Sequence, residues 1–209
     1  NLSSEPLGEV IRKRGSTRRF ARDSISQAQF EAILAGSSRG SPSDFHGRDG
    51  ESLVDMYTIV HAVDGVPAGS YYFDPQTSKL ELLREGDLRA RAGHLCFEQA
   101  LGADASAVTF FMADLEAIFE QHGNRGYRAA QLEAGIVGGK MYLCAHSLGL
   151  GATGMTFYDD EVAEFFSPHA EGKSLMFLVA VGVPGRPNRV RPFRSQIAVT
   201  LDALARGAS

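Results

Sequence analysis

The sequence GLGATG at residues 149–154 decides between two folds for this chain. It satisfies the G-x-G-x-x-G pattern of dinucleotide-binding proteins, in which a strand enters the glycines and a helix leaves them. Here the order is reversed. Residues 127–148, YRAAQLEAGIVGGKMYLCAHSL, place their apolar side chains at helical spacing and contain no proline. We therefore predict that a long helix ends at Gly149, and that a cap and short loop follow.

The composition is that of an ordinary globular protein. The chain has 209 residues, 44% of them hydrophobic, and a net charge of −4, so we expect a single domain over 1–209 and no electrostatic attraction to nucleic acid or membranes. No apolar run reaches the ~20 residues that span a bilayer. Cys96, Cys144 and the histidines show no metal-ligand spacing, so we predict no metal. Free thiols and the absence of a signal sequence favour a cytoplasmic protein.

Periodicity and turn residues predict alternating helices and strands. Ser26 and Gln29 fit a capping box at the start of a helix that Gly36 ends. Residues 37–50 are predicted as a long mobile loop and residues 184–209 as a C-terminal extension. Further helices are predicted over 5–14, 88–101, 114–122, 127–148 and from Asp159, and strands over 53–63, 70–73, 79–83, 107–112 and 174–181. This alternation favours an α+β or α/β fold with helices packed on a mixed sheet.

Three segments carry residues suited to ligand binding. Residues 14–19, RGSTRR, alternate guanidinium groups with hydroxyls, which match a phosphate or a polyhydroxyl chain, although a solvated charge run is the competing interpretation. Residues 189–192, RVRP, allow the same two interpretations. The glycines at 149–154, extended to Met155 and Thr156, would let backbone N–H groups approach a flat ligand closely, or would simply form a helix-to-strand turn.

The long helix over 127–148 carries small residues that would allow close packing. These are Ala129, Ala130, Gly135, Gly138 and Gly139. They favour either a subunit interface or packing inside the monomer, and the sequence leaves both open.

Taken together and in order, these segments resemble the FMN-dependent nitroreductase superfamily, and within it the SagB-type dehydrogenase branch. Residues 13–20, KRGSTRRF, resemble the N-terminal flavin motif, and Ser41-Pro42-Ser43 resembles a Pro-Ser loop. The branch resemblance rests on three stretches. The first is residues 65–75, GVPAGSYYFDP, and the second is Gly126-Tyr127-Arg128 leading to Leu132-Glu133-Ala134-Gly135. The third is Leu148-Gly149-Leu150-Gly151 leading to Phe157-Tyr158-Asp159-Asp160.

The resemblance implies a nitroreductase-like α+β fold, with a mixed, mostly antiparallel central sheet flanked by helices. It also implies an intertwined homodimer with FMN at the subunit interface. By position, Arg14, Ser16 and Arg18 would contact the phosphate, the ribityl chain and the N1/O2 edge, while Arg189 and Arg191 would complete a phosphate clamp. Met155 and Thr156 would lie along the ring with a backbone N–H near N5. Gly15, Ser43 and Gly154 complete the implied cofactor-binding set.

The implied activity is hydride transfer through bound FMN to or from a small organic substrate, with NAD(P)H as a candidate donor. A peptide or natural-product (azoline-type) dehydrogenase is an alternative, but the Lys-Tyr dipeptide associated with azoline oxidation does not occur here. An alternative of another class is a degenerate flavin-fold module that serves assembly without catalysis, because Asp44-Phe45-His46 departs from the usual small residues after the Pro-Ser loop. No side chain stands out as a catalytic acid or base.

Overall fold

The fold is built on a six-stranded sheet with helices on both faces. The computed structural model describes residues 5–40, 43, 45, 52–185 and 206. The strands are β1 (Asp55–Val60), β2 (Gly69–Asp74), β3 (Lys79–Glu85), β4 (Ala107–Ala113), β5 (Gly151–Gly154) and β6 (Ser174–Gly182). Their order is β3-β2-β1-β4-β6-β5, and every neighbouring pair is antiparallel. Parallel pairing occurs only in isolated bridges among the described residues, such as Ser16 with Ala152.

The helices divide between the two faces of the sheet. They are α1 (Leu7–Lys13), α2 (Gln27–Ser38), α3 (Arg89–Leu95), α4 (Ala100–Asp104), α5 (Leu115–His122), α6 (Arg125–Ser147) and α7 (Asp159–Phe166). Side chains alternate along a strand, so Met56 and Val60 of β1 pack towards α2 and α6, whereas Tyr57 and Ile59 pack towards α3 and α7. The predicted α+β fold is confirmed.

The structure confirms the predictions that rest on helix-capping residues and on strand patterns. Gly149 adopts φ +75°, the left-handed conformation that ends α6 at the predicted point. The capping box of α2 is complete, because the Ser26 hydroxyl accepts a hydrogen bond from the Gln29 N–H and the Gln29 side chain accepts one from the Ser26 N–H. The hairpin of β2 and β3 and the buried strand β6 also form as predicted.

Three predictions about elements are wrong. The helix predicted over 88–101 is two helices, because Phe97 and Glu98 adopt positive φ and break it after α3. The loop predicted over 37–50 starts too early, since α2 runs to Ser38, while most of that loop lies outside the described residues. The segment after Gly149 is no simple loop. Residues 151–154 form β5, which pairs with β6 along the sheet edge.

The described helices do not combine the length and apolar character that crossing a membrane requires.

Candidate functional site

Residues 14–18 run in an extended course beside β5. The Thr17 N–H donates to the Ala152 carbonyl at 2.9 Å, and Ser16 bridges Ala152 in parallel register. Side chains of an extended chain alternate between its two sides. Thr17 is 1% exposed and faces the protein, whereas Arg14 and Arg18 are exposed and Ser16 is half-buried. The Ser16 hydroxyl therefore lies on the outer side of this segment, and the exposed Arg14 and Arg18 precede and follow it.

Tyr142 of α6 joins this segment to the end of β5. Its hydroxyl oxygen accepts a hydrogen bond from the Gly154 N–H at 2.5 Å and lies 3.2 Å from the Ser16 hydroxyl oxygen. Because Tyr142 accepts from Gly154, it can donate its own proton to Ser16, and the Ser16 proton is then available to another acceptor. The Arg14 guanidinium lies 5.7 Å from the centre of the Tyr142 ring, within the range of a cation–π contact.

His146 holds the same segment one helical turn further along α6. Its Nε2 lies 2.9 Å from the Gly15 carbonyl oxygen, which can only accept, so Nε2 carries the proton. Burial lowers the pKa of His146, and the nearby Arg14 lowers it further, against the opposing effect of the Gly15 carbonyl. His146 is therefore neutral at pH 7, and the positive charge here comes from arginine.

Glycine is required twice in β5 because of close neighbours. A Cβ at position 151 would lie 2.2 Å from the Thr17 hydroxyl oxygen, and one at position 154 would lie 2.6 Å from the Phe177 ring. The Gly154 N–H is engaged by Tyr142. Thr156, two residues on, is exposed, and its N–H has no acceptor among the described residues. It is one backbone donor open to a ligand at this end of β5.

A sequence profile of the nitroreductase family matches residues 11–183, a span that contains this whole cluster. The chain belongs to the nitroreductase family.

Similar proteins agree with this family. A Methanocaldococcus jannaschii protein, provisionally named a nitroreductase, is 27% identical over 164 residues, covering 76% of this chain and 82% of that protein. An Anabaena variabilis crystal structure, also provisionally named a nitroreductase, superposes with a TM-score of 0.76 at 28% identity. That match covers 85% of this chain, which spans only 38% of the other chain's length. The NADPH:FMN oxidoreductase of Vibrio harveyi, solved with NAD+, shares the fold at a TM-score of 0.63 and 18% identity, covering 92% and 75% of the two chains.

The nitroreductase fold brings together some of the residues that the sequence indicated. Arg14, Gly15, Ser16 and Gly154 meet around Tyr142 and His146. Arg18 is exposed at a bend two residues after Ser16. Met155 is 8% exposed and its side chain packs into the core on the α7 face, so only its backbone can face a ligand here.

Of the remaining predicted residues, Ser43 forms no hydrogen bond to this cluster, and the others lie outside the described residues. The Ser43 hydroxyl is buried and has no hydrogen-bond partner within the described part of the chain. Arg189 and Arg191, like Ser41 and Pro42, lie outside the described residues. No group of three or more His, Cys, Asp or Glu side chains is placed to hold a metal ion among residues 5–40, 43, 45, 52–185 and 206.

Sequence reasoning missed Tyr142 and His146. Both lie on one face of α6, four residues apart, just before the glycines. Two side chains with hydrogen-bonding groups at this spacing, at the end of a helix that leads into a binding loop, were the signal that could have indicated them.

Proposed function

We propose that this nitroreductase-family protein is an FMN-dependent oxidoreductase, which takes hydride from NAD(P)H or an organic donor and passes it to an organic acceptor. The observation that carries the proposal is the meeting of Arg14, Ser16 and the end of β5 around Tyr142. Family membership supports oxidoreductase chemistry in general. The related fold of an NADPH:FMN oxidoreductase is consistent with these cofactors.

The charge and hydrogen-bonding groups of the segment fit the polar part of FMN. Its phosphate dianion needs fixed cations, and its ribityl chain needs hydroxyl or amide partners. Neither Arg14 nor Arg18 forms an ion pair with a described residue, so both guanidinium groups are available to an anion. The Ser16 hydroxyl can donate a proton, as Tyr142 supplies its other hydrogen bond. Gly15, Arg189 and Arg191 belong to the same proposed phosphate and ribityl site.

The end of β5 fits the flat ring. The Phe177 ring packs against the backbone at Gly154, and two residues on the exposed Thr156 N–H is a donor suited to a ring nitrogen. Bound FMN would supply the redox step itself. The role of Arg18 would be to stabilise negative charge at the N1/O2 edge of the reduced ring.

We also propose an intertwined homodimer that is formed through α6. One face of this helix is open to solvent over Arg128, Leu132, Gly135 and Gly139, and Leu132 is 55% exposed. A Cβ at Gly135 or Gly139 would meet nothing within 4 Å, so a second helix can approach closely there. In such a dimer, Ser43 of the partner subunit is proposed to contact the flavin.

Flavin binding tests this function directly. The purified protein is expected to be yellow, or to become so with FMN, and to release FMN on denaturation. We expect Arg14→Ala to weaken binding of FMN about tenfold while leaving riboflavin, which has no phosphate, nearly unchanged. Arg12→Ala is the matched control, because Arg12 lies two residues away and pairs with Glu9 on α1. The double variant Arg14→Ala with Arg191→Ala should lose the flavin.

Failure takes two forms. A colourless protein that takes up no added FMN would leave only the assembly-module alternative. Full FMN occupancy in the double variant would refute the proposed phosphate clamp while leaving flavin dependence intact.

The SagB-type alternative is tested with the same preparation. The branch resemblance of residues 65–75 and 126–135 supports a dehydrogenase acting on a peptide-like natural product, together with a partner or second domain. Under anaerobic conditions, bleaching of the bound flavin by NADH or NADPH would favour the first proposal. Bound flavin that neither nicotinamide reduces would favour the SagB-type dehydrogenase.

A further inference from the structure

A second feature of the molecule is a cleft of about 620 Å³ where α5 meets the first turns of α6. We call it the arginine cleft. Its lining combines cationic, polar and apolar side chains, namely Phe45, Gln121, His122, Arg125, Arg128, Ala129 and Leu132. None of these described lining residues is a carboxylate. The cleft lies at the opposite end of α6 from Tyr142 and His146, so it is separate from the cluster around Ser16 on the same chain.

The corner that forms this cleft is closely packed. A Cβ at Gly126 would lie 2.5 Å from the Ile118 side chain, so α5 and α6 approach each other more closely here than any larger residue would allow. Gly123, with φ +58°, makes the turn between the two helices. The backbone that carries Arg125 and Arg128 is therefore held in a fixed orientation towards the cleft.

The cleft has the chemistry of a site for an anionic organic molecule. Arg128 forms no ion pair with a described residue, so its planar fork is available to a carboxylate or phosphate. Arg125 and His122 lie on the same wall. Leu132, 55% exposed, and Phe45 offer apolar surface against which a ring can pack.

The proposed dimer would bring this cleft to the flavin. In an antiparallel pair of α6 helices related by a two-fold axis midway between Gly135 and Gly139, position 132 faces position 142 of the partner, and position 128 faces position 146. All four positions lie on one helix face, which is open to solvent at Arg128 and Leu132 and is covered by residues 14–16 of the same chain at Tyr142 and His146. The arginine cleft of one protomer would then adjoin the Tyr142 end of the other.

We propose that the arginine cleft binds the anionic group of an organic redox partner, with Arg128 as its principal contact. The anion is either a carboxylate on the substrate or a phosphate of the nicotinamide donor. That the ligand is a redox partner rests on the proposed function. That the cleft binds an anion does not depend on it.

Matched pairs of probes test this with the protein as purified and incubated with FMN. Dissociation constants are measured by ligand-observed NMR titration for 4-nitrobenzoate against neutral 4-nitrobenzamide, and for nicotinamide mononucleotide against nicotinamide riboside. We expect the anionic member of at least one pair to bind more tightly, and Arg128→Gln to weaken it about tenfold while changing its neutral counterpart less than about twofold. The pair that shows the difference identifies carboxylate or phosphate as the source of the anion.

Control variants separate the local contact from general charge effects. Lys79→Gln removes one positive charge from the exposed start of β3 and should leave all four constants unchanged. Arg128→Lys should restore only part of the anion preference, because an ammonium lacks the planar fork. Higher ionic strength should reduce the preference through screening.

The outcomes are distinct from those of the proposed function. FMN content is measured on the same samples, so a protein without flavin that still discriminates the probes would refute the function and keep the cleft. Equal affinities within both pairs, or an unchanged anion preference in Arg128→Gln, would overturn the cleft proposal whatever the flavin content.

Discussion

Replacing Tyr142 by Phe removes one oxygen from the centre of the candidate site and keeps the ring. The ring stays packed at 9% exposure and still lies beneath the Arg14 guanidinium. The variant loses the hydroxyl oxygen that accepts a hydrogen bond from the Gly154 N–H at 2.5 Å and that lies 3.2 Å from the Ser16 hydroxyl oxygen. The change therefore isolates the hydrogen bonds that connect α6, β5 and residues 14–18.

The expected cost follows from these two contacts. A buried N–H left without an acceptor costs about 1–3 kcal/mol, and loss of an ordinary hydrogen bond costs about 0.5–1.5 kcal/mol. Ser16 and Gly154 are both only half-buried, so water can replace part of each loss. We expect the free energy of unfolding to fall by about 2 kcal/mol, which lowers Tm by about 4–8 °C for a chain of this length.

Urea unfolding followed by circular dichroism measures this change, with all proteins at one concentration because association shifts apparent stability. The matched control is Tyr158→Phe, whose hydroxyl has no hydrogen-bond partner among the described residues and whose ring contacts His94 and Phe97. It should change stability by less than about 0.5 kcal/mol. A Tyr142→Phe protein as stable as this control would show that the Tyr142 hydroxyl does not connect the three segments.

Other variants probe the surrounding structure. Glu133 is 4% exposed and accepts hydrogen bonds from the Leu53 N–H at 2.7 Å and the Ser52 hydroxyl at 2.8 Å, just before β1. Glu133→Ala should therefore lower the free energy of unfolding, measured by heat or urea, by about 2–3 kcal/mol. A loss below about 0.5 kcal/mol would contradict this role. Burial lowers the pKa of His61 to about 4. In the unfolded chain His61 is protonated below pH ~6.5, whereas in the native protein it stays neutral down to about pH 4. The free energy of unfolding should therefore fall as the pH is lowered over this range, by at most about 3 kcal/mol. When the free energy of unfolding is measured as a function of pH, His61→Gln should lose less stability between about pH 6.5 and 4 than the original protein does. If both proteins lose the same amount, His61 is not the source of the effect. Gly151→Ala should lower the free energy of unfolding by about 1–3 kcal/mol, because the new Cβ would lie 2.2 Å from the Thr17 hydroxyl oxygen. The control is Gly8→Ala on α1, where a Cβ meets open space and stability should be unchanged or slightly higher. Equal Tm values for the two variants would refute the steric argument.

Local sequence was sufficient where a single segment determines its own conformation. The helical period of residues 127–148, ended by a glycine that tolerates φ +75°, predicted α6 and its end. The capping box at Ser26 predicted the start of α2. The same reasoning failed at residues 88–101, where helical apolar spacing continues through Phe97 and Glu98 but the backbone does not. Beyond the break, α4 packs back against α3, a contact that apolar spacing along the segment does not encode.

By itself, the sequence determined most of the elements, the family resemblance and the basic segment at residues 14–19. It also determined that GLGATG follows a helix, which is the wrong order for a dinucleotide-binding fingerprint. Only the tertiary structure decided that these glycines form β5, and that Tyr142 meets Ser16 from 126 residues further along the chain. The physical reason is that periodicity and capping act within a few residues, whereas strand pairing and long-range hydrogen bonds depend on which surfaces the whole fold brings into contact.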